Sequence, residues 1–179
     1  IPKLLYKRKI KVCKVERWQY SILVFSRMTP KPATIEEIKE IYAIFAQYKD
    51  VFPHIRFDYL QRKINSGCCV YEDDVVITYT VYKRKQRIGD NNHAVKGDVM
   101  LHQIVNANPS NGKSAEVLQR FFDYTVEGKP VWLTVRSDNK RAIKFYGKVG
   151  FEDMGNIYWM KGELPGKVFR HLPKTVSIV

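Results

Sequence analysis

The segment ANPSNGKS, residues 107–114, has the residue types of a phosphate-binding loop. It follows an apolar stretch, VMLHQIVNA, that predicts a strand, and it precedes AEVLQRFFDY, which predicts a helix. A small residue at Ala107, four free positions and then Gly112, Lys113 and Ser114 loosely match the loop that binds nucleoside triphosphates. Only four residue identities are fixed, and the first is Ala where the motif has Gly. A triphosphate and a different phosphate ligand both remain open at this helix start.

Titratable residues lie inside and just before the strand that leads into this loop. His102 and Gln103 interrupt an otherwise apolar run, and strand alternation places Asp98, Met100, His102 and Ile104 on one face. A histidine has a pKa suited to proton transfer near neutrality, whereas Asp98 would need its pKa raised by burial. A lone His or Asp in a strand is more often structural. The sequence therefore leaves two candidate bases, His102 and Asp98.

A third set of residues lies in SDNKRAIKFYGKVGF, 137–151, which predicts a helix capped by Ser137 or Asp138 and ended by Gly150. Asn139 and Tyr146 are seven residues apart, which is two helical turns. Both side chains can therefore line one ligand channel.

The elements that must position these residues follow the order β, α, α, β-hairpin, β, α, β, α, β, β. This order predicts a mixed α/β layer structure with a central sheet. We expect a basic N-terminal arm at 1–17, one domain at 18–164 and a C-terminal tail at 165–179. Within the domain, the predicted elements are a strand at 19–28, a helix from the capping residue Thr34 to about Gln47, a helix at 57–65, a hairpin around Glu72-Asp73-Asp74, a polar loop at 86–98, a strand at 131–136 and a last hairpin at 151–164.

Composition bounds the class of protein. With 45% hydrophobic residues in 179, the chain can bury a proper core, so disorder is not the default. The net charge of +13, from 31 Lys plus Arg against 18 Asp plus Glu, favours polyanions or anionic cofactors. Nucleic acid is therefore one expected partner, and a basic surface that binds no polymer is the other interpretation.

Three cysteines, two of them adjacent, form no metal-ligand motif, so we expect no metal site. A reducing, cytoplasmic setting is the simplest account of this usage. No apolar run reaches the roughly 18 residues of a membrane span, and we expect no membrane partner.

The helix at 137–151 resembles the GNAT superfamily of acetyl-CoA-dependent N-acetyltransferases. The residues that match the family's penultimate helix are Asn139, Ala142, Phe145, Tyr146, Gly150 and Phe151. The family's other signature lies at the start of the third helix. It is a Gln or Arg, two free positions, Gly, a free position and then Gly or Ala. Gly112 and Ser114 occupy the small positions, but Pro109 stands at the Gln/Arg position. The resemblance covers residues 18–164 and implies a central mixed, mostly antiparallel sheet with flanking helices.

The resemblance also implies a cofactor and site residues. Acetyl-CoA would place its pyrophosphate on the backbone amides at Asn111, Gly112, Lys113, Ser114 and Ala115, which favours this ligand over a triphosphate. Strand residues His102, Gln103, Ile104 and Val105 would lend groups to the acetyl and pantetheine arm, with Asn139 beside it. Tyr146 would donate a proton to the CoA sulfur. Asp98 lies fourteen residues before Gly112, where histone-type members carry a glutamate.

Three functions are compatible with these residues. The first is transfer of an acetyl group to a primary amine by direct attack. The second is a GNAT-like enzyme that modifies nucleobases, similar to the phage Mom DNA-modification proteins, which would use the basic surface. The third is a CoA-binding module without activity, suggested by Pro109. A basic and aromatic strand could face nucleic acid or be a solvated edge; its residues are Tyr79, Tyr82, Lys83, Arg84, Lys85 and Arg87. The acceptor and the oligomeric state stay open.

Overall fold

A computed structural model describes residues 29–172 of the chain. The predicted arm at 1–17, the predicted strand at 19–28 and the part of the predicted tail at 173–179 lie outside the described residues. Four α-helices are present in this range: α1 (Ile38–Ala46), α2 (Phe57–Asn65), α3 (Lys113–Arg120) and α4 (Lys140–Lys148). Its eight strands are β1 (Cys69–Glu72), β2 (Val75–Val81), β3 (Gln86–Ile88), β4 (Asn92–Ala94), β5 (Val99–Asn106), β6 (Val131–Arg136), β7 (Glu152–Trp159) and β8 (Leu164–His171).

Six of the strands form one sheet in the order β1-β2-β5-β6-β8-β7, and β3 and β4 form a separate hairpin. Every neighbouring pair in the large sheet is antiparallel except β5 and β6. The predicted mixed, mostly antiparallel sheet is thus confirmed. The parallel pair is joined only at Val99 with Val131 and at Met100 with Trp132. Beyond these positions the two strands are not paired, which leaves a gap in the middle of the sheet.

A β-bulge at His102 lies beside this gap. Thr78 of β2 pairs with Gln103, but the next residue, Tyr79, pairs with Leu101, so His102 is an extra residue on β5. An extra residue reverses the side-chain alternation beyond it. The predicted single face for residues 98, 100, 102 and 104 is therefore wrong: Met100 packs on one side of the sheet, and Ile104 packs on the other.

The two faces of the sheet are covered differently. One face, here called the helix face, packs against α3 and the segment after it through Val117, Leu118, Phe121 and Phe122, with α4 alongside. The opposite face, here called the hairpin face, packs against α1 and α2 at the β1–β2 end. At its other end it is covered by Ile88 and Ala94 of the β3–β4 hairpin. The gap between β5 and β6 consequently opens toward both faces.

The residues assigned to the C-terminal tail contain a strand, and that prediction is wrong for 165–171. β8 lies between β6 and β7 and pairs with both. Its charged residues are typical of a surface segment, but Lys167 forms an ion pair with Asp153 at 3.1 Å. Arg170 lies over the ring of Trp132. Ion pairing and stacking therefore accommodate charges in an inner strand.

Turn residues account for the two hairpins. Asp73 and Asp74 both have positive φ, at 50° and 62°, which is the conformation of the two-residue turn that fits the strand twist. The predicted β1–β2 hairpin is confirmed. The polar loop expected at 86–98 contains the β3–β4 hairpin.

Candidate active site

A cavity of about 830 Å³ occupies the gap between β5 and β6. On the helix face it is lined by the start of α3 and by one side of α4, including Phe145 and Tyr146. On the hairpin face it is lined by Thr134 and Trp159, together with residues that follow α1. A molecule in this cavity can therefore reach through the sheet from one face to the other.

The loop before α3 is held in place by Asn106, a buried residue at the end of β5 that is 6% exposed. Its side-chain amide donates hydrogen bonds to Asn111 Oδ1 and Ser114 Oγ, both at 3.0 Å. Its Oδ1 accepts the backbone N–H of Asn108 at 2.8 Å. One side chain thus fixes both ends of the loop. Asn106 is not among the predicted site residues, although a polar residue that ends an apolar strand just before a loop of small and polar residues is a signal for this role.

The start of α3 presents backbone N–H groups to the cavity. Gly112 precedes the helix with φ 79°, and the space that a side chain would occupy there is open. The N–H groups of Gly112 and Ser114 donate to no other group in the described part of the chain, whereas that of Lys113 donates to Asn111 Oδ1. Together with the helix dipole, two free N–H groups make this end attractive to an anion.

The predicted loop residues divide into two groups. Gly112, Ser114 and Ala115 line the cavity. Asn111 and Lys113 do not line it: Asn111 holds the loop, and the Lys113 ammonium pairs with Glu116 at 2.7 Å. The Lys113 side chain is therefore held by an ion pair outside the cavity.

The N-terminus of α4 contributes a second polar group. Asn139 lines the cavity and caps the helix, because its Oδ1 accepts the N–H of Ala142 at 3.1 Å. The predicted caps Ser137 and Asp138 are wrong, and the Asp138 carboxylate instead pairs with Arg136. Three cations of α4 also line the cavity and were missed, although their spacing places them on one side of the helix: Arg141, Lys144 and Lys148.

Tyr146 lines the cavity on the helix face and is surrounded by aromatic rings. Its ring lies 5.5 Å from that of Phe151 and 5.6 Å from that of Phe145. Burial raises the pKa of the Tyr146 phenol well above its ordinary value. The hydroxyl therefore keeps its proton at neutral pH and can donate it.

His102 lines the same cavity, and solvent reaches its ring there. Its Nε2 lies 2.8 Å from Thr80 Oγ1, which in turn lies 2.6 Å from Lys63 Nζ. Desolvation by the surrounding protein and the nearby Lys63 ammonium lower the pKa of His102 to about 4. The imidazole is therefore neutral at pH 7.

The other predicted residues of β5 are also placed by the bulge. Ile104 and Val105 line the cavity. Gln103 does not: its Oε1 accepts a hydrogen bond from Tyr59 at 2.8 Å and another from Thr78. Gln103 thus ties β5 to α2 and β2, and its side chain is not available to a ligand.

The structure does not bring Asp98 to the cavity. Its carboxylate, 5% exposed, accepts the indole N–H of Trp132 at 2.8 Å and the backbone N–H of Val95 at 3.1 Å. These bonds hold the β3–β4 hairpin and β6 to the start of β5. We assign Asp98 this structural role in place of the predicted base role.

Two further features concern metals and membranes. Between residues 29 and 172, no group of three or more His, Cys, Asp or Glu side chains is arranged to hold a metal ion. None of the helices in that range has the length and apolar character needed to cross a membrane. Cys68 and Cys69 are free thiols.

The described residues have the fold of solved acetyltransferases of the GNAT family. A GNAT-family acetyltransferase from Bacillus cereus is 19% identical, with a TM-score of 0.60 over 80% of this chain and 96% of that one. A GNAT-family acetyltransferase from Streptococcus agalactiae is 14% identical, with a TM-score of 0.60 over 80% and 94%. Arabidopsis thaliana NAA60 in complex with acetyl-CoA is 14% identical, with a TM-score of 0.59 over 79% and 97%. No protein-family profile and no curated protein matches the sequence. The predicted fold is confirmed.

Proposed function

We propose that this chain is an acetyl-CoA-dependent N-acetyltransferase that transfers an acetyl group to a primary amine by direct attack. The observation that carries the proposal is the cavity through the sheet, which joins the N–H groups at the start of α3 to Tyr146 and His102. The solved structures with the same fold include NAA60 bound to acetyl-CoA, which supports the proposal by analogy.

The residues present fit an anionic cofactor. Gly112 and Ser114 offer N–H groups, and the open space at Gly112 lets a pyrophosphate approach the backbone. Arg141, Lys144 and Lys148 add three cations, and no Asp or Glu of the described residues lines the cavity. Acetyl-CoA, when bound, supplies the acetyl thioester. The residues that would hold it are therefore the start of α3 and one side of α4, with Ile104, Val105 and Asn139 along the gap.

The chain's own groups supply what acetyl transfer requires. The gap orients the reactants, because β5 and β6 hold a ligand between two fixed edges. The amine would enter from the hairpin face, between Tyr48, Phe52 and Trp159, and so meet the thioester from the side opposite to α3. The phenol of Tyr146, which stays protonated, donates its proton to the leaving sulfur.

Calorimetry and mass spectrometry test this proposal. Titration of CoA into the folded protein should release heat, whereas ATP with magnesium should bind far more weakly. Incubation with acetyl-CoA and a panel of amines should add one acetyl group to an acceptor. Heat with ATP and magnesium but none with CoA would overturn the cofactor assignment. CoA binding without transfer to any amine would favour the non-catalytic binding module.

The variant Asn106→Ala tests the loop. It removes two donors and one acceptor that fix the loop, and we expect the dissociation constant for CoA to rise about tenfold, which corresponds to about 1.4 kcal/mol. Calorimetry at a temperature where the variant is folded measures this. Asn91→Ala, at the exposed tip of the β3–β4 hairpin, is the matched control. An unchanged affinity would show that the loop does not hold the cofactor.

A second candidate acceptor is nucleic acid. The segment 82–97 carries five cations, four of them in or beside β3, and one exposed carboxylate, Asp90. This segment covers one end of the hairpin face through Ile88 and Ala94. Tyr79 does not take part, because its ring packs in the core and its hydroxyl donates to Gly67 O, so the prediction for this residue is wrong. The cations that remain exposed are Lys83, Arg84, Lys85, Arg87 and Lys96.

Binding to duplex DNA as a function of salt tests this candidate. If the cations neutralise several phosphates, affinity should fall steeply as the salt concentration rises. The combined variant Lys83→Gln, Arg84→Gln and Lys85→Gln should flatten that dependence. DNA binding that the variant leaves unchanged would exclude this surface.

A further inference from the structure

We propose that His102 acts in the site as a neutral hydrogen-bond donor, and that Lys63 and Thr80 position it by keeping its proton on Nδ1. This inference rests on the proposed acetyl transfer and assigns a role within it. It starts from three residues on three elements, α2, β2 and β5, which form one continuous chain of hydrogen bonds that ends at the cavity.

The direction of this chain is set by Lys63. An ammonium has only donors, and Lys63 Nζ lies 2.6 Å from both the carbonyl oxygen of Tyr79 and Thr80 Oγ1. Thr80 Oγ1 therefore accepts from Lys63, and this polarises its own O–H as a donor. Among the described residues, the other partner of Thr80 Oγ1 at hydrogen-bond distance is His102 Nε2, at 2.8 Å. A donating hydroxyl requires the lone pair of Nε2, which places the ring proton on Nδ1.

Desolvation by the surrounding protein, and then the Lys63 ammonium, keep the imidazole neutral. Lys63 is the charged group that faces His102, and it lies over the ring of Tyr59 and near the thiols of Cys68 and Cys69. A proton on His102 would face the Lys63 ammonium across a single hydroxyl. Since a general base works best with a pKa near the working pH, the low pKa of His102, about 4, disfavours that role. A neutral imidazole can still donate its N–H to an oxygen of the reactants.

The bulge places His102 at the wall of the cavity. His102 is the extra residue at the point where β5 and β6 separate. Negative charge would develop on the thioester oxygen as the amine attacks, and a fixed donor stabilises it. In this proposal the proton that the attacking amine releases passes to water. Lys63 and Thr80 act through His102 and touch no reactant.

Nitrogen NMR of histidine-labelled protein tests the tautomer without any activity. The chain has four histidines, and the variant His102→Asn identifies the His102 signals by their loss. We expect a proton on Nδ1 at pH 7 and a midpoint of titration near 4. Thr80→Val should move the proton to Nε2, Thr80→Ser should not, and Lys63→Met should raise the midpoint. Lys39→Met, at an exposed position of α1, is the control. A proton on Nε2 in the unmodified protein, or a midpoint near 6.5, would overturn the proposal.

Turnover of two His102 variants separates a donor from a base. Asparagine places an amide N–H close to the position of Nδ1 but cannot act as a base at neutral pH. We expect His102→Asn to keep turnover within about tenfold and His102→Leu to lose about 10²- to 10³-fold, the usual effect of removing one such donor. Equal losses in both variants would contradict the donor role. If the unmodified protein transfers no acetyl group, the proposed function fails, while the NMR result still decides the tautomer.

Discussion

Replacing Tyr146 with Phe lowers the turnover number for acetyl transfer by about 10²- to 10⁴-fold, the range found for loss of a general acid. The phenol lies in an aromatic environment on the helix side of the cavity, and burial raises its pKa so that it stays protonated. Without its hydroxyl, the thiolate must leave without a proton from the protein. Steady-state kinetics with acetyl-CoA and an accepted amine measure the loss.

The affinity for CoA distinguishes an acid from a packing residue. Phe keeps the ring contacts with Phe145 and Phe151, so the dissociation constant for CoA should change less than about threefold. Tyr158→Phe is the matched control, because Tyr158 is 53% exposed and does not line the cavity. Unchanged turnover in Tyr146→Phe would remove Tyr146 from the acid role.

Replacing Asp98 with Ala lowers the free energy of unfolding by about 2–4 kcal/mol, because it leaves the buried indole N–H of Trp132 without an acceptor and also removes the acceptor of the Val95 N–H. Urea unfolding, followed by Trp fluorescence, measures the change. Turnover per folded molecule should stay within about threefold, since Asp98 lies outside the cavity. This expectation opposes the base role that sequence spacing favours.

The double variant Asp98→Ala with Trp132→Phe provides the control. Removing both partners of a buried hydrogen bond is less costly than removing one. The loss in free energy of unfolding in the double variant should therefore be smaller than the sum of the losses in the single variants Asp98→Ala and Trp132→Phe. A loss of turnover above about 100-fold in Asp98→Ala, with stability unchanged, would restore Asp98 as the base.

The sequence predicts most of the elements because their patterns are local. The apolar run at 131–136 and the hairpin turn at Asp73-Asp74 follow from side-chain periodicity and turn chemistry, and both are confirmed. β8 is missed because its charged residues pair with β7 and stack on Trp132. These partners are distant in sequence, and periodicity within one segment cannot detect them.

The site residues are predicted from the sequence only where they belong to one segment of the chain. Tyr146 and Asn139 share a helix face, and the structure places both beside the cavity. Met100 and Ile104 lie on opposite faces because of the bulge at His102, which no local pattern predicts, since it follows from how β5 pairs with β2. Lys63 and Thr80 come from other elements altogether. Their hydrogen bonds with His102 can be recognised only when α2, β2 and β5 are brought together.

The separation of β5 and β6 has a consequence for the cohesion of the molecule. In the described residues, strand pairing joins the half of the sheet formed by β1, β2 and β5 to the half formed by β6, β8 and β7 at two residue pairs. A molecule held in the gap would contact both halves, so part of its binding free energy would stabilise the association of the two halves. At high occupancy, local unfolding of one half without the other would then become rarer. Protection of backbone amides from hydrogen exchange would increase in both halves together.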